Sequence, residues 1–332
     1  MSGEVLVTGG LGFIGAAFTA HLVAEGITVV NLDADTYAGD RARLGDLDVE
    51  THLLDVRDPA AAELIRSKGP ETIVHFAAET HVTRSEKDHA AFFSTNVDGT
   101  RALLDAARAA GVGKVVHVST DEVYGPALDQ PFRETDKAPG EGLATSAYAR
   151  SKAVADDLAL TYAGDLKVIV VRPTNCFGPW QHPEKAVARW TARALSGERL
   201  PVWGDGQQIR DWMYVDDLCS AIMLVMDKAG SEDVFNIGPG REAKTNVAIA
   251  ELVAGAANRE PDSIYLTAYD RPQHDRRYSV DATKLRTLGW TPRVGVEEGI
   301  RRTVAWYAAN RPWWAGLVES AEALYDDVEM RP

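Results

Sequence analysis

Two adjacent carboxyl groups stand where an apolar run ends, in the segment HVSTDEVYG at residues 117–125. Asp121 and Glu122 follow the run Lys114–Val118, which has the pattern of a buried strand, and Thr120 precedes them. A solvated turn at the end of a strand would account for two acids side by side. A pair of proton-transfer groups would account for them too. Like charges held close drive their pKa values apart, which leaves one acid and one base.

A glycine-rich loop lies near the start of the chain, where residues 7–15 read VTGGLGFIG. Gly9, Gly12 and Gly15 follow a first predicted strand and open a first predicted helix. Without Cβ atoms the backbone can turn tightly and approach a pyrophosphate held at the helix N-terminus. Asp33 ends the second predicted strand, close to the spacing expected for the acid that binds a ribose 2′-hydroxyl. An acid there repels a 2′-phosphate, so the pattern favours NAD over NADP.

Tyr148 and Lys152 form a second reactive pair in the segment SAYARSK. Residues four positions apart share a helix face. A phenol has a pKa of about 10 and is a poor base at neutral pH. A nearby ammonium and a positive nicotinamide ring stabilise phenolate and lower that pKa. We therefore predict that Tyr148 takes a proton from a sugar hydroxyl while a hydride leaves for NAD.

The elements that position these residues alternate between apolar runs and helical patterns. Strands are predicted at Val5–Thr8, Thr28–Asp33, Thr72–Ala77, Lys114–Ser119, Lys167–Arg172 and Val234–Gly238. Helices are predicted at Phe13–Glu25, Pro59–Ser67, Phe92–Ala110, Ser146–Ala163, Glu184–Ser196, Val215–Lys228, Val247–Ala257 and Val296–Asn310. Continuous apolar strands separated by helices indicate an α/β fold, a Rossmann-like, doubly wound parallel sheet.

The regular alternation of predicted strands and helices ends after Arg172. The segment that follows, PTNCFGPWQHPEK, is rich in Pro, Gly and polar residues and is predicted to be a loop. We predict an NAD-binding Rossmann domain over residues 1–172, with a returning segment at about 211–239. A smaller, irregular α/β domain that binds substrate is predicted over 173–210 and 240–310. Residues 311–332 form a C-terminal tail whose Trp313 and Trp314 are expected to pack on the body or on a partner subunit.

Composition narrows the classes of partner. The chain has 332 residues and a net charge of −14, which argues against nucleic acid or an anionic membrane surface. No apolar stretch reaches the length needed to span a bilayer, and no basic region suggests a signal peptide. Cys176 and Cys219 are too few for a disulfide framework. We expect a cytoplasmic protein with no metal site.

Several ordered segments carry a resemblance to a known family. The glycine loop, the Tyr-Lys pair and HVSTDEVYG resemble the extended short-chain dehydrogenase/reductase superfamily, and within it the branch of nucleotide-sugar 4,6-dehydratases. The similarity runs through nearly the whole chain, in DADTYAGD (33–40), HFAAETHVTRS (75–85), TNVDGT (95–100), RPTNCFGPWQHPEK (172–185), GDGQQIRDWMYVDD (204–217), KTN (244–246) and HDRRYSVDATK (274–284).

The resemblance implies a reaction in three steps with retained NAD and a nucleoside diphosphate hexose, dTDP-glucose being the preferred substrate. Tyr148 is the implied base for oxidation at C4, tuned by Lys152, with Thr120 hydrogen-bonding near O4. Glu122 then takes the C5 proton while protonated Asp121 donates to the departing C6 hydroxyl. The hydride finally returns to C6.

The resemblance also implies two sets of binding residues. The cofactor set is Gly9, Gly12, Phe13, Ile14, Gly15, Asp33, Asp55, Val56, Ala77, Thr95, Tyr148 and Lys152. Spacing alone supports two interpretations of Asp55 about equally: a residue near the adenine of the cofactor, or an ordinary polar residue after a third strand. The substrate set is Glu79, His81, Arg84, Asn175, Lys185, Pro201, Trp203, Arg210, Asn246, His274 and Arg277. Helices at about 92–110 and 146–163 match a homodimer interface, although their apolar faces are equally typical of core.

Four departures from the family pattern leave alternatives open. Thr83, Ala147, Cys176 and Phe177 replace residues usual in the branch, and residues 137–147 replace its usual approach to the catalytic tyrosine. A UDP-sugar 4,6- or 5,6-dehydratase, a UDP-sugar epimerase and a UDP-glucuronate decarboxylase therefore remain as related activities. The acid pair speaks against the last two. A hypothesis from a different functional class is a redox sensor that binds NAD without turnover. The presence of Tyr148 and Lys152 argues against it.

Overall fold

A seven-stranded parallel sheet forms the centre of the computed structural model, which describes residues 3–127, 129–136, 144–230, 233–240, 243–270 and 274–329. The described strands are β1 (Val5–Thr8), β2 (Val29–Asp33), β3 (Glu50–Leu53), β4 (Thr72–His75), β5 (Lys114–Val118), β6 (Val168–Pro173), β7 (Cys176–Phe177), β8 (Leu200–Trp203), β9 (Ile209–Asp211), β10 (Met213–Tyr214), β11 (Asp233–Ile237), β12 (Ala243–Thr245) and β13 (Ile264–Thr267). The main sheet has the order β11-β6-β5-β4-β1-β2-β3. Every neighbouring pair in it is parallel.

Helices cover both faces of this sheet. They are α1 (Phe13–Ala24), α2 (Pro59–Lys68), α3 (Val82–Ser85), α4 (His89–Phe93), α5 (Gly99–Ala110), α6 (Ala147–Leu160), α7 (Ala186–Leu195), α8 (Val215–Lys228), α9 (Asn246–Ala256), α10 (Thr283–Thr287), α11 (Val296–Ala309) and α12 (Arg311–Glu329). Helices α1 and α8 pack on one face, and α2, α5 and α6 pack on the other. Coverage on both faces explains why the sheet strands read as continuous apolar runs.

The predicted Rossmann-like α/β fold is confirmed, because strands 3-2-1-4-5-6 stand in the order of a doubly wound sheet and β11 extends it beside β6. The strand pattern alone missed Glu50–Leu53. This edge strand carries the polar sequence ETHL, half exposed, and so shows no apolar run. The helix predicted over 92–110 is interrupted by the π-helical turn Ser94–Asp98.

The C-terminal residues form a long helix that the sequence patterns had not indicated. Helix α12 packs through Trp314, which is fully buried with Tyr307 of α11 and with Ala188 and Ala192 of α7. A further apolar cluster joins α7, α9 and α11 to β8. The division of the chain into the predicted domains stays a prediction. Within the described ranges, no helix combines the length and the apolar composition needed to cross a bilayer.

Candidate active site

The glycine loop links β1 to α1 so tightly that side chains are excluded. Gly9 has φ +70°, and a Cβ there would lie 2.8 Å from the backbone nitrogen of Ala77. A Cβ on Gly15 would overlap the carbonyl oxygen of Gly9. The loop therefore keeps its backbone bare at the N-terminus of α1, as a dinucleotide pyrophosphate requires.

Asp33 ends β2 and is tied to the same loop. Its two carboxylate oxygens accept hydrogen bonds from the backbone N–H of Leu11 at 2.9 Å and of Asp35 at 2.8 Å. Burial raises the pKa of Asp33, and these two backbone donors oppose the rise. The carboxylate keeps free lone pairs for a ribose hydroxyl, since each oxygen can accept more than one bond. The residues at this end of the sheet fit NAD.

One cleft at the carboxyl ends of the sheet strands gathers every residue of the predicted cofactor set. Its lining includes Gly9, Gly12, Phe13, Ile14, Gly15, Asp33, Asp55, Val56, Ala77, Thr95, Tyr148 and Lys152. Asp55 pairs with Arg57, which lowers the pKa of Asp55. Thr95 belongs to the π-helical turn, a distortion often found at functional sites. In that turn Asn96 accepts from the backbone N–H of Glu79 at 2.8 Å.

The acid pair lies in a short 3-10 turn, Asp121–Tyr124, just beyond β5. Thr120 caps the turn, because its Oγ1 accepts from the backbone N–H of Glu122 at 3.3 Å. The same hydroxyl donates to Asp121 Oδ1 at 3.3 Å. Asp121 is 2% exposed. Burial raises the pKa of Asp121 well above its usual range, and the carboxyl groups of Glu122 and Asp211 add to the rise.

Tyr148 and Lys152 project from α6 into the cofactor cleft. The helix begins after Ser146, whose Oγ accepts from the backbone N–H of Ala149 at 3.0 Å. Lys152 Nζ donates to the carbonyl oxygen of Val118 at 2.9 Å. Burial lowers the pKa of Lys152 to about 8, and the carboxylate of Asp156 opposes the fall.

The phenol of Tyr148 lies in the cofactor cleft near Thr120 and Glu122, and its deprotonation beside Lys152 and a nicotinamide ring stays a prediction. Burial raises the pKa of Tyr148, the negative charge of Glu122 adds to the rise, and the hydrogen bond between Tyr148 and Thr120 opposes it. Lys152 therefore does not by itself bring the pKa of this phenol below its usual value. Deprotonation needs a further positive charge in the cleft, which an oxidised nicotinamide ring carries when bound.

A second pocket opens beside the cleft and shares five lining residues with it. Those shared are Thr80, Glu122, Asn175, Glu184 and Lys185. The pocket also gathers most of the predicted substrate set, namely His81, Pro201, Trp203, Arg210, Asn246 and His274. Because Glu122 lies on the lining of both, the base of the predicted pair stands where the two pockets meet.

Two side chains of the pocket are held by partners behind them. His274 Nδ1 lies 2.6 Å from Asp270 Oδ1. Arg210 donates to the carbonyl oxygens of Ile209 at 2.8 Å and Asp275 at 2.9 Å. The guanidinium of Arg210 also lies over the ring of Tyr278, 4.3 Å from the ring centre. Such anchoring fixes a cation at the pocket wall.

Not every predicted residue reaches these linings. Glu79 lines the cofactor cleft and not the second pocket, and Arg84, Arg277 and Asp121 line neither. Arg84 Nε instead bonds Glu184 Oε2 at 3.3 Å. Burial lowers the pKa of His81 to about 3, so its imidazole is neutral.

The second pocket contains residues that the sequence reasoning missed. Tyr325 of α12 contributes its ring, and its hydroxyl donates to the carbonyl oxygen of Glu184 and lies 3.0 Å from His81 Nε2. Tyr278 and Trp212 also line the pocket. A usable signal for α12 was present, because Trp314, Val318, Ala321 and Tyr325 recur at helical spacing.

The four departures have different surroundings. Phe177 is fully buried against Trp212 and Tyr214 and lines neither pocket, whereas Cys176 lines the cofactor cleft. Thr83 lines the second pocket, and Ala147 is the buried first residue of α6. The altered approach to Tyr148 lies partly outside the described residues, at 137–143.

Comparisons with known proteins place the chain in a family. The model of the NAD dependent epimerase/dehydratase family matches residues 5–238, and the chain belongs to that family. The dTDP-glucose 4,6-dehydratase of Xanthomonas campestris pv. campestris is 39% identical over 96% of this chain and 97% of its own. That of Streptomyces niveus is 40% identical, with the same coverage. The crystal structure of DesIV, a dTDP-glucose 4,6-dehydratase from Streptomyces venezuelae with NAD and TYD bound, has a TM-score of 0.88 and 41% identity over 95% of this chain and 99% of that one.

Proposed function

We propose that this protein is an NAD-dependent lyase that converts dTDP-glucose to dTDP-4-keto-6-deoxyglucose. The observation that carries the proposal is the acid pair, in which Glu122 lines both the dinucleotide cleft and the second pocket and Asp121 is buried directly beside it. The relatives named dTDP-glucose 4,6-dehydratase, matched over nearly their full length, support the same assignment.

The first step is oxidation at C4 of the hexose. Bound NAD supplies the hydride acceptor at C4 and afterwards the hydride donor at C6. Tyr148 takes the proton of the C4 hydroxyl, while Thr120 holds O4 through a hydrogen bond. Lys152 contributes positive charge on the same helix face, which favours the phenolate that this step requires.

The second step removes water across C5 and C6. The new 4-keto group acidifies the C5 proton, which Glu122 takes as the C5–C6 double bond forms. Asp121 is protonated because its pKa is raised, and it donates that proton to the C6 hydroxyl, which leaves as water. Hydride addition at C6 and return of the proton from Glu122 to C5 give the product. Loss of the O4 proton from Tyr148 and uptake of one proton by Asp121, through solvent, then restore both residues for the next cycle.

The second pocket holds the nucleoside diphosphate. Arg210, Lys185 and His274 offer positive charge or hydrogen-bond donors to the diphosphate, with Asn175 and Asn246 beside them. Trp203 and Pro201 provide an apolar wall for the base. We assign Arg277 to the diphosphate as well. Glu79, His81 and Arg84 support the wall around the sugar.

We also propose that the protein is a cytoplasmic homodimer that pairs through the segments at about 92–110 and 146–163. The free thiols of Cys176 and Cys219 fit a reducing compartment. Sedimentation of the purified chain tests the dimer, with a mass of two chains expected. A monomer at all concentrations contradicts it.

A mass spectrum tests the proposed reaction. The purified protein is incubated, without added NAD, with dTDP-glucose, UDP-glucose, UDP-N-acetylglucosamine and UDP-glucuronate in separate reactions. Loss of one water from dTDP-glucose is the expected result. The same loss from a UDP-sugar alone moves the substrate and keeps the chemistry. Loss of carbon dioxide, or no mass change with any of the four, contradicts the proposal.

A further inference from the structure

A group of buried charged side chains lies next to Lys152 on the side of α6 that faces the sheet. Asp156 follows Lys152 by four residues and so shares its helix face. The side chain of Asp156 is fully buried. Arg172 Nε, from β6, donates to Asp156 Oδ2 at 2.8 Å, and His117 Nε2, from β5, lies 3.4 Å from Asp156 Oδ1. Asp156, Arg172 and His117 do not line the cofactor cleft.

Two histidines extend this group across the sheet without adding charge. His117 and His75 face each other on neighbouring strands, with ring centres 5.5 Å apart. His75 Nδ1 lies 2.7 Å from Thr8 Oγ1, and its Nε2 lies 3.1 Å from Thr100 Oγ1. Burial lowers the pKa of both histidines. Both histidines are therefore neutral at pH 7. The charged members of the group are then the cations Lys152 and Arg172 and the Asp156 carboxylate.

The two cations depend on that carboxylate in different ways. Arg172 has a second anchor, because its Nη1 donates to the hydroxyl of Tyr124 at 2.7 Å, and that hydroxyl donates to Asn236 Oδ1 at 2.9 Å. Lys152 is 3% exposed and donates to a neutral carbonyl, that of Val118. A buried ammonium without an opposite charge nearby gives up its proton readily.

We propose that Asp156 is a positioning residue that keeps Lys152 charged in the buried site and thereby sets the pH range in which Tyr148 acts. The groups that face its carboxylate are His117 and Ser119 from the β5 side, Arg172 from β6 and Lys152 on its own helix. Asp156 is the anion in this set. The part of the proposal that concerns Tyr148 rests on the proposed function, while the part that concerns Lys152 does not.

The charge of Lys152 can be measured without substrate. Trace acetic anhydride labels only neutral amines, so labelling against pH, quantified by peptide mass spectrometry, gives the pKa of each lysine. We expect Asp156→Asn to lower the pKa of Lys152 by about one unit or more. Lys68, a partly exposed lysine paired with Glu50, serves as the internal control and is expected not to change. An unchanged pKa of Lys152 in this variant overturns the proposal.

A second pair of variants separates charge from packing. Asp156→Asn leaves the buried Arg172 without an anion, so the double variant Asp156→Asn/Arg172→Met removes both members of the pair and keeps the net charge. We expect it to lower the pKa of Lys152 as well. Arg172→Met alone retains the carboxylate and is expected to leave that pKa unchanged or raised. An equal fall in Arg172→Met assigns the effect to packing and overturns the proposal.

The pH profile with dTDP-glucose tests the consequence for Tyr148. When Lys152 loses its charge, phenolate is less stable, so the ascending limb of kcat/KM moves to higher pH by about one unit in Asp156→Asn. Activity is then about ten-fold lower near neutral pH and recovers in alkali. A uniform loss at every pH contradicts the pH role. If the wild-type protein does not turn over dTDP-glucose, the proposed function fails, and the labelling result still decides the role of Asp156.

Discussion

The cofactor cleft and the pocket beside it are built from the chain in different ways. The cleft is formed mainly by short segments that directly follow strands of the main sheet, with Tyr148 and Lys152 from α6 and Thr95 from the π-helical turn. The pocket draws on segments between residues 80 and 325, from loops, from short strands and from α12. A site at strand ends needs particular residue types at short spacings, and these can be recognised in a local stretch of sequence. A site assembled from distant segments leaves no such local pattern.

The two regions also differ in how they handle charge. At the glycine loop and the end of β2, the cleft offers bare backbone and the Asp33 carboxylate to a ligand that carries its own charges. The pocket offers cations anchored from behind, such as Arg210. Changes in the cleft should therefore affect chemistry or cofactor, whereas changes in the pocket should affect KM for the nucleotide sugar.

Tyr148→Phe should have the largest effect of the variants considered. Loss of the proposed base is expected to slow formation of the dehydrated product by about 10³-fold. NAD content should not change, because the glycine loop is intact, and it can be measured on the nucleotide released from the denatured protein. Tyr162→Phe, near the end of α6, is the matched control, since the hydroxyl of Tyr162 bonds Asp105 outside the cleft. Wild-type rates in Tyr148→Phe would contradict the assigned base.

Asp121→Asn should slow the elimination of water and leave the oxidation at C4 intact. The amide cannot donate the proton that the C6 hydroxyl needs, so elimination is expected to fall by about 10²-fold. Oxidation at C4 does not use Asp121, so absorbance of reduced nicotinamide should rise and persist after substrate is added. Asp129→Asn, at an exposed position, controls for the change of charge. Equal loss of oxidation and elimination would show that Asp121 has no separate role in the second step.

Arg210→Met tests the expectation that a change in the second pocket affects substrate binding and leaves the cofactor unaffected. Loss of one charge-assisted contact to the diphosphate is expected to raise KM about 10- to 100-fold. NAD content and the rate at saturating substrate should stay close to wild type. The matched control is Arg276→Met, because Arg276 is exposed and paired with Asp205. A loss of NAD in Arg210→Met would mean that the two regions are not separable in this way.

Tyr325→Phe should give a smaller effect in the same pocket. The hydroxyl of Tyr325 joins α12 to Glu184 and His81, and a hydrogen bond of this kind contributes about 1 kcal/mol. We expect KM for the nucleotide sugar to rise about five-fold, with the ring still in place. Tyr265→Phe, on β13 outside both pockets, is the control. An unchanged KM would show that the Tyr325 hydroxyl, and with it this contact of α12, does not contribute to substrate binding.

Asp121 should also affect stability as a function of pH. Its pKa in the folded chain is raised, so its contribution is full below its ordinary pKa of 3.8 and is lost as pH rises through the folded value. Asp121→Asn removes this dependence. Urea unfolding at about pH 5 and about pH 8 should show the variant gaining on the wild type at the higher pH, by about 1 kcal/mol or more. A constant difference between the two proteins would contradict a raised pKa.

Sequence patterns identified the parts of the fold that have a local signature. The glycine loop, Asp33 and the apolar strands were recognisable because spacing and burial on both faces dictate them. Strand β3 was not, because an exposed edge tolerates the polar sequence ETHL. Helix α12 was not recognised either, although its apolar residues recur at helical spacing.

The candidate site divides in the same way. Adjacency in sequence predicted that one of the two carboxyl groups is an acid and the other a base, and the resemblance assigned the acid to Asp121. The contribution of Asp211 to the raised pKa of Asp121 depends on a contact between distant segments. The pairing of Arg84 with Glu184 and the position of Tyr325 in the pocket are also tertiary facts. The raised pKa of Tyr148 follows from burial, which a spacing of four residues cannot report.

The most direct test of the central claim follows one hydrogen atom. The purified protein is incubated with dTDP-glucose that carries deuterium at C4, with no added cofactor, and the product is examined by mass spectrometry and NMR. The account predicts a product that has lost one water and holds the deuterium at C6. Deuterium that stays at C4, or that is lost to solvent, would contradict a cycle in which the acid pair eliminates water between removal and return of the same hydride.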